Sequence, residues 1–215
     1  MADTRKAWYR LDNAAKIYPA VRTQKWSGNF RVSVSLKEKV DMKILEKALA
    51  DTAERLVSLR LNLHRGFFWY YLEDSGESVK ATEDVRNPCA RFGGKRNREK
   101  PCRIRVYENR IALEIFHVLA DGTGAMNFLK TLVSNYLTLA ENVEDSGVDY
   151  DASSTQKSDD SFSKYYSGKI SSKQENNPVA YKIVGRKYPD DKLKVINGMV
   201  DVKKVLAVSY THLRA

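Results

Sequence analysis

Hydrophobic and polar residues alternate over residues 30–36 (FRVSVSL), and this period of two predicts a β-strand with one buried face. After Asp41 the spacing changes, and apolar side chains recur every three or four residues until about residue 55. That spacing places them on one stripe of an amphipathic helix, with Asp41 as its N-cap. The pattern therefore predicts a strand followed directly by a helix.

Two hairpins are predicted next. The first hairpin has strand-like arms at residues 58–63 and 67–72 (FFWYYL). The second hairpin has arms at residues 103–107 and 110–116, with a turn at Glu108-Asn109. Its second arm places Ile111, Leu113 and Ile115 on one face, as expected for a strand against a core.

The most regular helical pattern follows the second hairpin. The chain breaks at residues 117–124 (HVLADGTG), after which apolar residues at i, i+3, i+4 and i+7 predict a helix over residues 125–137. Serine, acidic residues, lysine and asparagine dominate residues 141–178, which predicts a long loop or linker. Strand-like segments return at residues 179–183 and 193–200, and Asp201 is predicted to cap a helix over residues 202–208.

Composition limits the class of protein. The 215 residues are enough for one full domain, or one domain and the beginning of a second, and 42% are hydrophobic. The sequence has no apolar run of membrane-spanning length, and its first residues lack the apolar core of a signal peptide. A cytoplasmic protein with no membrane partner is expected.

The net charge is +10, from 37 basic and 27 acidic residues, with one basic concentration at residues 91–105. That segment has no aromatic residues spaced for stacking on bases, so no nucleic-acid partner is expected. Phosphates of a nucleotide-containing cofactor suit the charge better, although the sequence does not localise them. Cys89 and Cys102 flank the same segment and are expected to be reduced thiols, and their spacing matches no zinc site. No metal site is predicted.

The segment HVLADG contains the candidate chemistry. His117 ends a predicted strand and can act as the general base of an acyl transfer, because imidazole titrates near neutral pH. Asp121 either orients His117 or bonds elsewhere and locks the loop. Gly122 and Gly124 allow backbone angles that are closed to other residues, and the N-terminus of the next helix favours a developing negative charge.

A structural role is the alternative for a histidine at a strand end. The other two histidines are weaker candidates: His64 is expected to pack against or cap a strand, and His212 lies in the closing segment. The sequence contains no G-x-S-x-G elbow and no P-loop or dinucleotide-binding glycine pattern, and neither cysteine has a histidine near it in sequence. His117 is thus selected partly by elimination.

Residues 110–137 resemble the H-x-x-x-D-G region of CoA-dependent acyltransferases, the superfamily of chloramphenicol acetyltransferase, the plant BAHD enzymes and the condensation domains of peptide synthetases. Residues 8–19 (WYRLDNAAKIYP) and 66–74 (GFFWYYLED) are similar to the opening segment and first hairpin of its bacterial alcohol acetyltransferase-like branch. The resemblance covers most of residues 8–140 and resumes around residues 195–207.

The resemblance implies an α/β (α+β) fold, a mixed β-sheet with flanking helices like the N-terminal half of chloramphenicol acetyltransferase. In the family, two such halves meet at a tunnel that the acyl donor and the acceptor enter from opposite mouths. It also implies His117 as the base, Asp121 as a structural acid within a salt bridge, for which Arg10 is a candidate partner, and Gly122 as the turn of the loop. No cofactor is bound permanently, and acetyl-CoA or another acyl-CoA is the co-substrate.

The domain organisation expected from these observations has four parts. Residues 1–140 form the acyltransferase-like domain with the HxxxDG motif, residues 141–178 the linker, and residues 179–208 the start of a second, truncated half. Residues 209–215 (SYTHLRA) do not continue the pattern and resemble a translated sequencing adapter, so a longer native chain is expected.

The leading functional hypothesis is an O-acyltransferase that moves an acetyl or other acyl group from CoA to a small-molecule alcohol. A condensation-type enzyme that uses carrier-protein-bound acyl groups is the second hypothesis, and a non-catalytic binding module of the same fold is the third. Because half of the tunnel is missing, this chain alone is expected to be nearly inactive and to expose apolar surface.

Overall fold

The computed structural model describes residues 7–23, 26–92, 94–95, 98–141, 184–185 and 198–213. In chain order the described elements are β1 (Trp8–Arg10), α1 (Ile17–Val21), β2 (Asn29–Ser35), α2 (Met42–Arg55), a 3₁₀ turn (Val57–Leu59), β3 (Leu61–Arg65), β4 (Tyr70–Asp74), β5 (Ala81–Glu83), β6 (Gly94–Lys95), β7 (Arg98–Glu99), β8 (Cys102–Tyr107), β9 (Arg110–Phe116), α3 (Gly122–Glu141) and α4 (Val202–Leu213).

The described strands form two sheets. One has the order β1-β4-β3-β7-β6, and all its pairs are antiparallel. The other has the order β2-β9-β8-β5 and is mixed, because β5 pairs with β8 in parallel while its other pairs are antiparallel. The predicted fold class, a mixed sheet with flanking helices, is confirmed.

The periodic segments form the predicted elements. Strand β2 lies where the alternation predicts it and pairs along its whole length with β9. Helix α2 begins after Asp41, whose Oδ1 accepts hydrogen bonds from the backbone N–H groups of Lys43 and Ile44 at 2.7 and 3.1 Å. The second hairpin forms as predicted, with Glu108 in the left-handed region (φ +50°) at its turn.

The first hairpin is displaced from its predicted position. Its first strand begins only at Leu61, because the preceding residues close a 3₁₀ turn. Its second strand begins at Tyr70, and the N–H of Gly66 donates to the carbonyl of Trp69 at 2.8 Å across the hairpin turn. The aromatic run therefore has the composition of a strand, but its first three residues form the tip of the hairpin.

Helices α2 and α3 cover one face of the four-stranded sheet. The largest core joins Leu45 and Leu49 of α2 with Leu132 of α3 and with Ile111 and Leu113 of β9, all nearly inaccessible to water. Polar groups at the helix contact are paired as well. The Nδ2 of Asn135 donates to the Oγ1 of Thr52 at 2.9 Å, and the backbone N–H of Asp41 donates to the hydroxyl of Tyr136 at 2.9 Å.

A second, smaller core joins the five-stranded sheet to the end of β9. It includes Leu63 and Leu72 of the first hairpin together with Phe116 and Val118. Because Ile115 belongs to the first core and Phe116 to the second, the two cores meet where β9 ends. This junction positions the candidate site.

The other face of β9 is also buried, which its sequence pattern did not predict. Ala112, Glu114 and Phe116 are inaccessible to water although they alternate with the core residues. Phe116 packs in the second core, and Glu114 lies against a covering segment over residues 84–92. The backbone of this segment is hydrogen-bonded to the side chains of Glu114 and Asn29 in the sheet and of Ser27 before it.

The C-terminal helix begins as predicted, with the Oδ1 of Asp201 accepting from the N–H of Lys203 at 2.8 Å. It differs in its end, since α4 continues through Leu213 and into the segment expected not to continue the pattern. The predicted linker at 141–178 lies outside the described residues except for Glu141, and so do residues 179–183 and most of 193–200.

None of the described helices combines the length and apolar character needed to cross a membrane.

Candidate active site

His117 is the first residue after β9, at the junction of the two cores. Its backbone N–H donates to the carbonyl of Gly28 at 3.1 Å, and the N–H of Leu119 donates to the carbonyl of Phe116 at 2.9 Å, which turns the chain away from the sheet. The histidine backbone is thus fixed both to the beginning of β2 and by its own turn.

The imidazole of His117 is half-buried between two aromatic rings. The Tyr18 ring is stacked on it, with centroids 4.7 Å apart and planes 8° apart, and the Phe30 ring is tilted against it at 4.3 Å and 37°. Trp26 continues the stack beyond Tyr18 at 6.2 Å. Contact on both faces fixes the plane of the imidazole and leaves its nitrogen-bearing edge as the reactive part.

No hydrogen bond to the imidazole nitrogens is made by any described residue. A general base needs one nitrogen free to accept a proton from the substrate, so this arrangement suits that role. Among the described residues no acid holds the second nitrogen, in contrast to sites in which a carboxylate sets the tautomer.

Asp121 takes the second of the two roles that the sequence left open. Its Oδ1 accepts a hydrogen bond from the N–H of Gly124 at 2.8 Å, and its carbonyl accepts from the N–H of Ala125 at 3.0 Å, so it caps helix α3. Within the described part of the chain it forms no ion pair with Arg10, which lies in β1 opposite Tyr71. Its carboxylate holds the loop after His117.

The expectation that Gly122 provides unusual backbone angles is wrong. Gly122 is the first residue of α3, has no positive φ, and a Cβ there would lie in open space. Space, not backbone angle, requires glycine at position 124, where a Cβ would lie 2.9 Å from the Cβ of Ala120. The positive φ near the site belongs to Gly28, at +69°.

Sequence reasoning missed Tyr18, Phe30 and Gly28 as parts of this site. Tyr18 lies within the residues 8–19 that carry the family resemblance, which was the one available signal. Phe30 was assigned only a place on the buried face of a strand. Gly28 lies in no periodic segment, so nothing in the local pattern pointed to its contact with His117.

Replacing Gly28 by alanine is expected to lower the free energy of unfolding by about 2–4 kcal/mol, the sum of strain at positive φ and overpacking. The added Cβ would lie 2.8 Å from the Cε2 of Phe116. Urea unfolding measures the loss, and the NMR signals of His117 should move because its backbone partner moves. Gly76→Ala is the matched control, since Gly76 has a φ of +75° and open space around it. Equal losses in the two variants would contradict the steric part of this prediction.

The cysteines are unsuited to nucleophilic chemistry. Burial raises the pKa of the Cys102 thiol to about 12. Burial, and then the nearby carboxylate of Glu114, raise the pKa of Cys89. Both are free thiols that stay protonated at neutral pH, whereas the thiolate is the reactive form.

Three of the seven basic residues at positions 91–105 are engaged within the protein. Arg103 pairs with Glu114 at 2.6 Å, Arg105 donates to Thr82 at 2.8 Å, and the Nζ of Lys100 donates to the carbonyl of Glu77 at 2.6 Å. These contacts favour structural roles for the three side chains. Within the described ranges, no group of three or more His, Cys, Asp or Glu residues is arranged to hold a metal ion.

Comparison with known proteins gives a likeness of fold. No family model and no curated protein matches the chain. Among solved structures, it is similar to the starter condensation domain of rhizomide synthetase RzmA (13% identity, TM-score 0.51, covering 67% of this chain and 41% of that one). It is also similar to the complex of the X-domain and OxyB from teicoplanin biosynthesis (18% identity, TM-score 0.50, covering 65% and 35%). The chain spans about two fifths of the length of these structures, and the part it spans has the fold of condensation-type domains.

Proposed function

We propose that this chain belongs to an acyltransferase that moves an acetyl or other acyl group from a CoA thioester to an alcohol, acting in the cytoplasm with His117 as general base. The observation that carries the proposal is the imidazole of His117, held against Tyr18 and Phe30 with no hydrogen bond to its nitrogens from any described residue. The condensation-type fold supports it, because the superfamily that this fold and the HxxxDG motif resemble performs acyl transfer from thioesters.

In the proposed reaction an imidazole nitrogen of His117 takes the proton of the acceptor hydroxyl as its oxygen attacks the thioester carbonyl carbon. A C–O bond forms and gives a tetrahedral oxyanion, which the free N–H groups at the start of α3 can stabilise. The oxyanion collapses, the C–S bond breaks, and the CoA thiolate receives the proton from the imidazolium. The products are an ester and free CoA, and His117 is neutral again.

A condensation-type reaction is the second candidate, and the likeness to a starter condensation domain specifically favours it. In that case the acyl group is bound to a carrier protein, and the acceptor is an amine or a hydroxyl. His117 has the same role in both reactions, so the donor distinguishes them.

A binding module is the third candidate. A structure similar to this chain is a complex of an X-domain with another protein, OxyB, which is consistent with protein binding by this fold. The binding hypothesis predicts that His117→Ala has no functional effect.

The chain covers only about two fifths of the similar solved structures, and this affects the activity expected of it. We infer that the remaining three fifths of such a protein supply the opposite wall of the cleft, so the 215-residue chain alone turns over slowly or not at all. Positioning of two substrates lowers the activation barrier by on the order of 7–11 kcal/mol in favourable cases. A chain that provides only one wall of the cleft loses much of this effect.

The test is an acyl-transfer assay on the protein expressed from the gene's uninterrupted reading frame. Release of free thiol is followed with acetyl-CoA and longer acyl-CoA donors against a panel of alcohols, and in parallel with acyl-carrier protein as donor. Alcohol-dependent thiol release from acyl-CoA supports the first proposal. Transfer only from the carrier protein would replace it with the condensation-type reaction, and no transfer from either donor would contradict both.

A further inference from the structure

The turn of the first hairpin exposes three consecutive aromatic side chains. Phe67, Phe68 and Trp69 are 91%, 84% and 62% exposed, and together we call them the aromatic tip. They lie beyond the last paired residues of the hairpin, Arg65 and Tyr70, so they project from the end of the five-stranded sheet. Exposed large aromatic groups in sequence are unfavourable in water, and their clustering at a projecting turn indicates a binding surface.

A row of residues that includes three basic side chains crosses the sheet next to this tip. The strand register pairs Arg10 with Tyr71, Tyr71 with His64, His64 with Arg98 and Arg98 with Lys95, and we call these five residues the cationic row. Arg10 and Arg98 are exposed, as is Arg65 one position nearer the tip. The row contains three residues that are cationic at neutral pH and no carboxylate.

The acidic residues of the sheet lie farther from the tip than the cationic row, and each has a basic side chain near it. Glu73 is two positions from Tyr71 in β4, and its Oε2 lies 3.8 Å from the Nε2 of His64. Glu99 is one register position inward and forms an ion pair with Arg22 at 2.6 Å. Asp74 lies at the opposite end of β4 and pairs with Arg60 at 2.7 Å. The residues nearest the aromatic tip are therefore the basic ones, and the carboxylates lie farther along the strands.

We propose that the aromatic tip and the cationic row form a peripheral binding edge for the surface of a bilayer that contains anionic phospholipid. Aromatic side chains are favoured at the boundary between headgroups and acyl chains, where an apolar ring meets water. Arginine and lysine beside them are attracted by anionic headgroups, and neither contribution requires a spanning segment. The sequence-based expectation of no membrane partner rested on patterns of membrane-spanning and signal-peptide segments, which do not bear on peripheral binding.

The geometry favours a bilayer over single-stranded nucleic acid, the other partner that combines positive charge with aromatic rings. Nucleic-acid surfaces offer separate ring faces along a groove, on which successive bases stack. Here the rings of Phe67 and Phe68 contact each other edge to face, with centroids 4.7 Å apart and planes 75° apart, at the end of a projecting turn. That arrangement suits insertion better than stacking.

The experiment is co-sedimentation of the 215-residue chain with phosphatidylcholine vesicles, with and without phosphatidylglycerol. The wild-type chain should bind the anionic vesicles, with weaker binding at high salt and little binding to the neutral ones. Replacing all three tip residues by serine (Phe67→Ser, Phe68→Ser and Trp69→Ser) should weaken binding by about a hundredfold or more. Arg10→Gln combined with Arg98→Gln should weaken it by about tenfold.

Tyr107→Ser is the matched control, because Tyr107 is 58% exposed beside the turn of the other hairpin. It should leave vesicle binding unchanged. If the triple variant does not fold, Phe67→Ser alone serves in its place, and a blue shift of Trp69 emission on anionic vesicles, measured with Trp8 and Trp26 replaced by phenylalanine, reports insertion directly.

Several results would overturn the proposal. They are no binding to anionic vesicles, equal binding to both vesicle types, and binding that the tip variants leave unchanged. Tip-dependent self-association without lipid would assign the surface to a second copy of the chain instead. Tip-dependent binding of a single-stranded oligonucleotide without vesicle binding would assign it to nucleic acid, and shielding of Trp69 from a soluble quencher in the protein of the uninterrupted reading frame would assign it to the rest of that chain.

Discussion

Replacing Glu114 by alanine is expected to lower the free energy of unfolding by about 3–5 kcal/mol, the range for breaking a buried ion pair by removal of one partner. Glu114 lies in the central strand β9, and its side chain is 1% exposed. A large effect follows because its cationic partners stay in place when the carboxylate is removed.

Three groups converge on this carboxylate. The Nε of Arg103 donates to one oxygen at 2.6 Å, and the backbone N–H of Cys89 donates to the other at 2.9 Å, with the Nη1 of Arg31 3.7 Å away. Arg103 also donates to the carbonyl of Ala90 in the covering segment. The carboxylate therefore links three strands to the segment that covers them.

A second buried carboxylate holds the beginning of that segment. Asp84 pairs with Arg31 at 2.6 Å and with Arg110 at 3.0 Å. Burial acts to raise the pKa of Asp84, but the hydrogen bonds from Arg31, the Val85 N–H and Arg110 outweigh it and hold that pKa below its usual range. Arg31 is shared by both carboxylates, so loss of Glu114 should loosen the segment over residues 84–92 before the helices.

Urea unfolding with Glu83→Ala as control tests the Glu114 prediction. Glu83 is an exposed carboxylate in β5 of the same sheet, and its removal should change stability by less than about 0.5 kcal/mol. Hydrogen exchange of the Cys89 amide should accelerate in Glu114→Ala, because that amide loses its acceptor. Equal stability of the two variants would show that the network contributes little.

The sequence could predict elements whose signal is local. The alternation in β2, the Asp41 cap of α2 and the two-residue turn at Glu108-Asn109 each involve contacts within a few residues, and all three form as predicted. His117 was found by its motif for the same reason, since strand, turn and helix follow one another in the chain.

Long-range polar contacts could not be predicted from the pattern. By alternation, Glu114 belongs to the face of β9 opposite Leu113, a position typical of solvent exposure. It is buried because Cys89 is brought over it, 25 residues away in sequence, and the covering segment has no hydrophobic period. The contacts of His117 with Tyr18 and Phe30 could not be predicted for the same reason, because these residues come from separate elements that meet only in the folded chain.

The prediction was wrong for a segment of strong β-propensity that lies at a hairpin turn. Residues 67–69 have the composition of a strand, yet none of the described strands pairs with them, since the hairpin closes between Gly66 and Trp69. Propensity describes fit to a half-buried surface and not the position of a turn. Only the exposure of these three side chains in the folded chain indicates a binding surface.

Replacing His117 by alanine is expected to lower kcat/KM for acyl transfer by about 10²–10⁴-fold, the usual contribution of a general base. The assay uses the protein of the uninterrupted reading frame. His64→Gln is the matched control, because His64 lies in β3 of the other sheet and stacks on Tyr71 at 5.0 Å, away from the turn after β9. It should change kcat/KM by less than about threefold if it has no part in the transition state.

The variant Asp121→Asn distinguishes a catalytic role of the Asp121 carboxylate from its structural role as the N-cap of α3. Asparagine is also a good N-cap, so the bond to the N–H of Gly124 can persist, and kcat/KM should stay within about tenfold of wild type. Asp121→Ala removes the cap and should cost about 1 kcal/mol of stability, with a larger loss of activity as the loop after His117 loosens. An equal and large loss in Asp121→Asn and His117→Ala would mean that the carboxylate itself assists the imidazole, against the capping role. His117-dependent turnover by the 215-residue chain alone would show instead that the opposite wall of the cleft is not required.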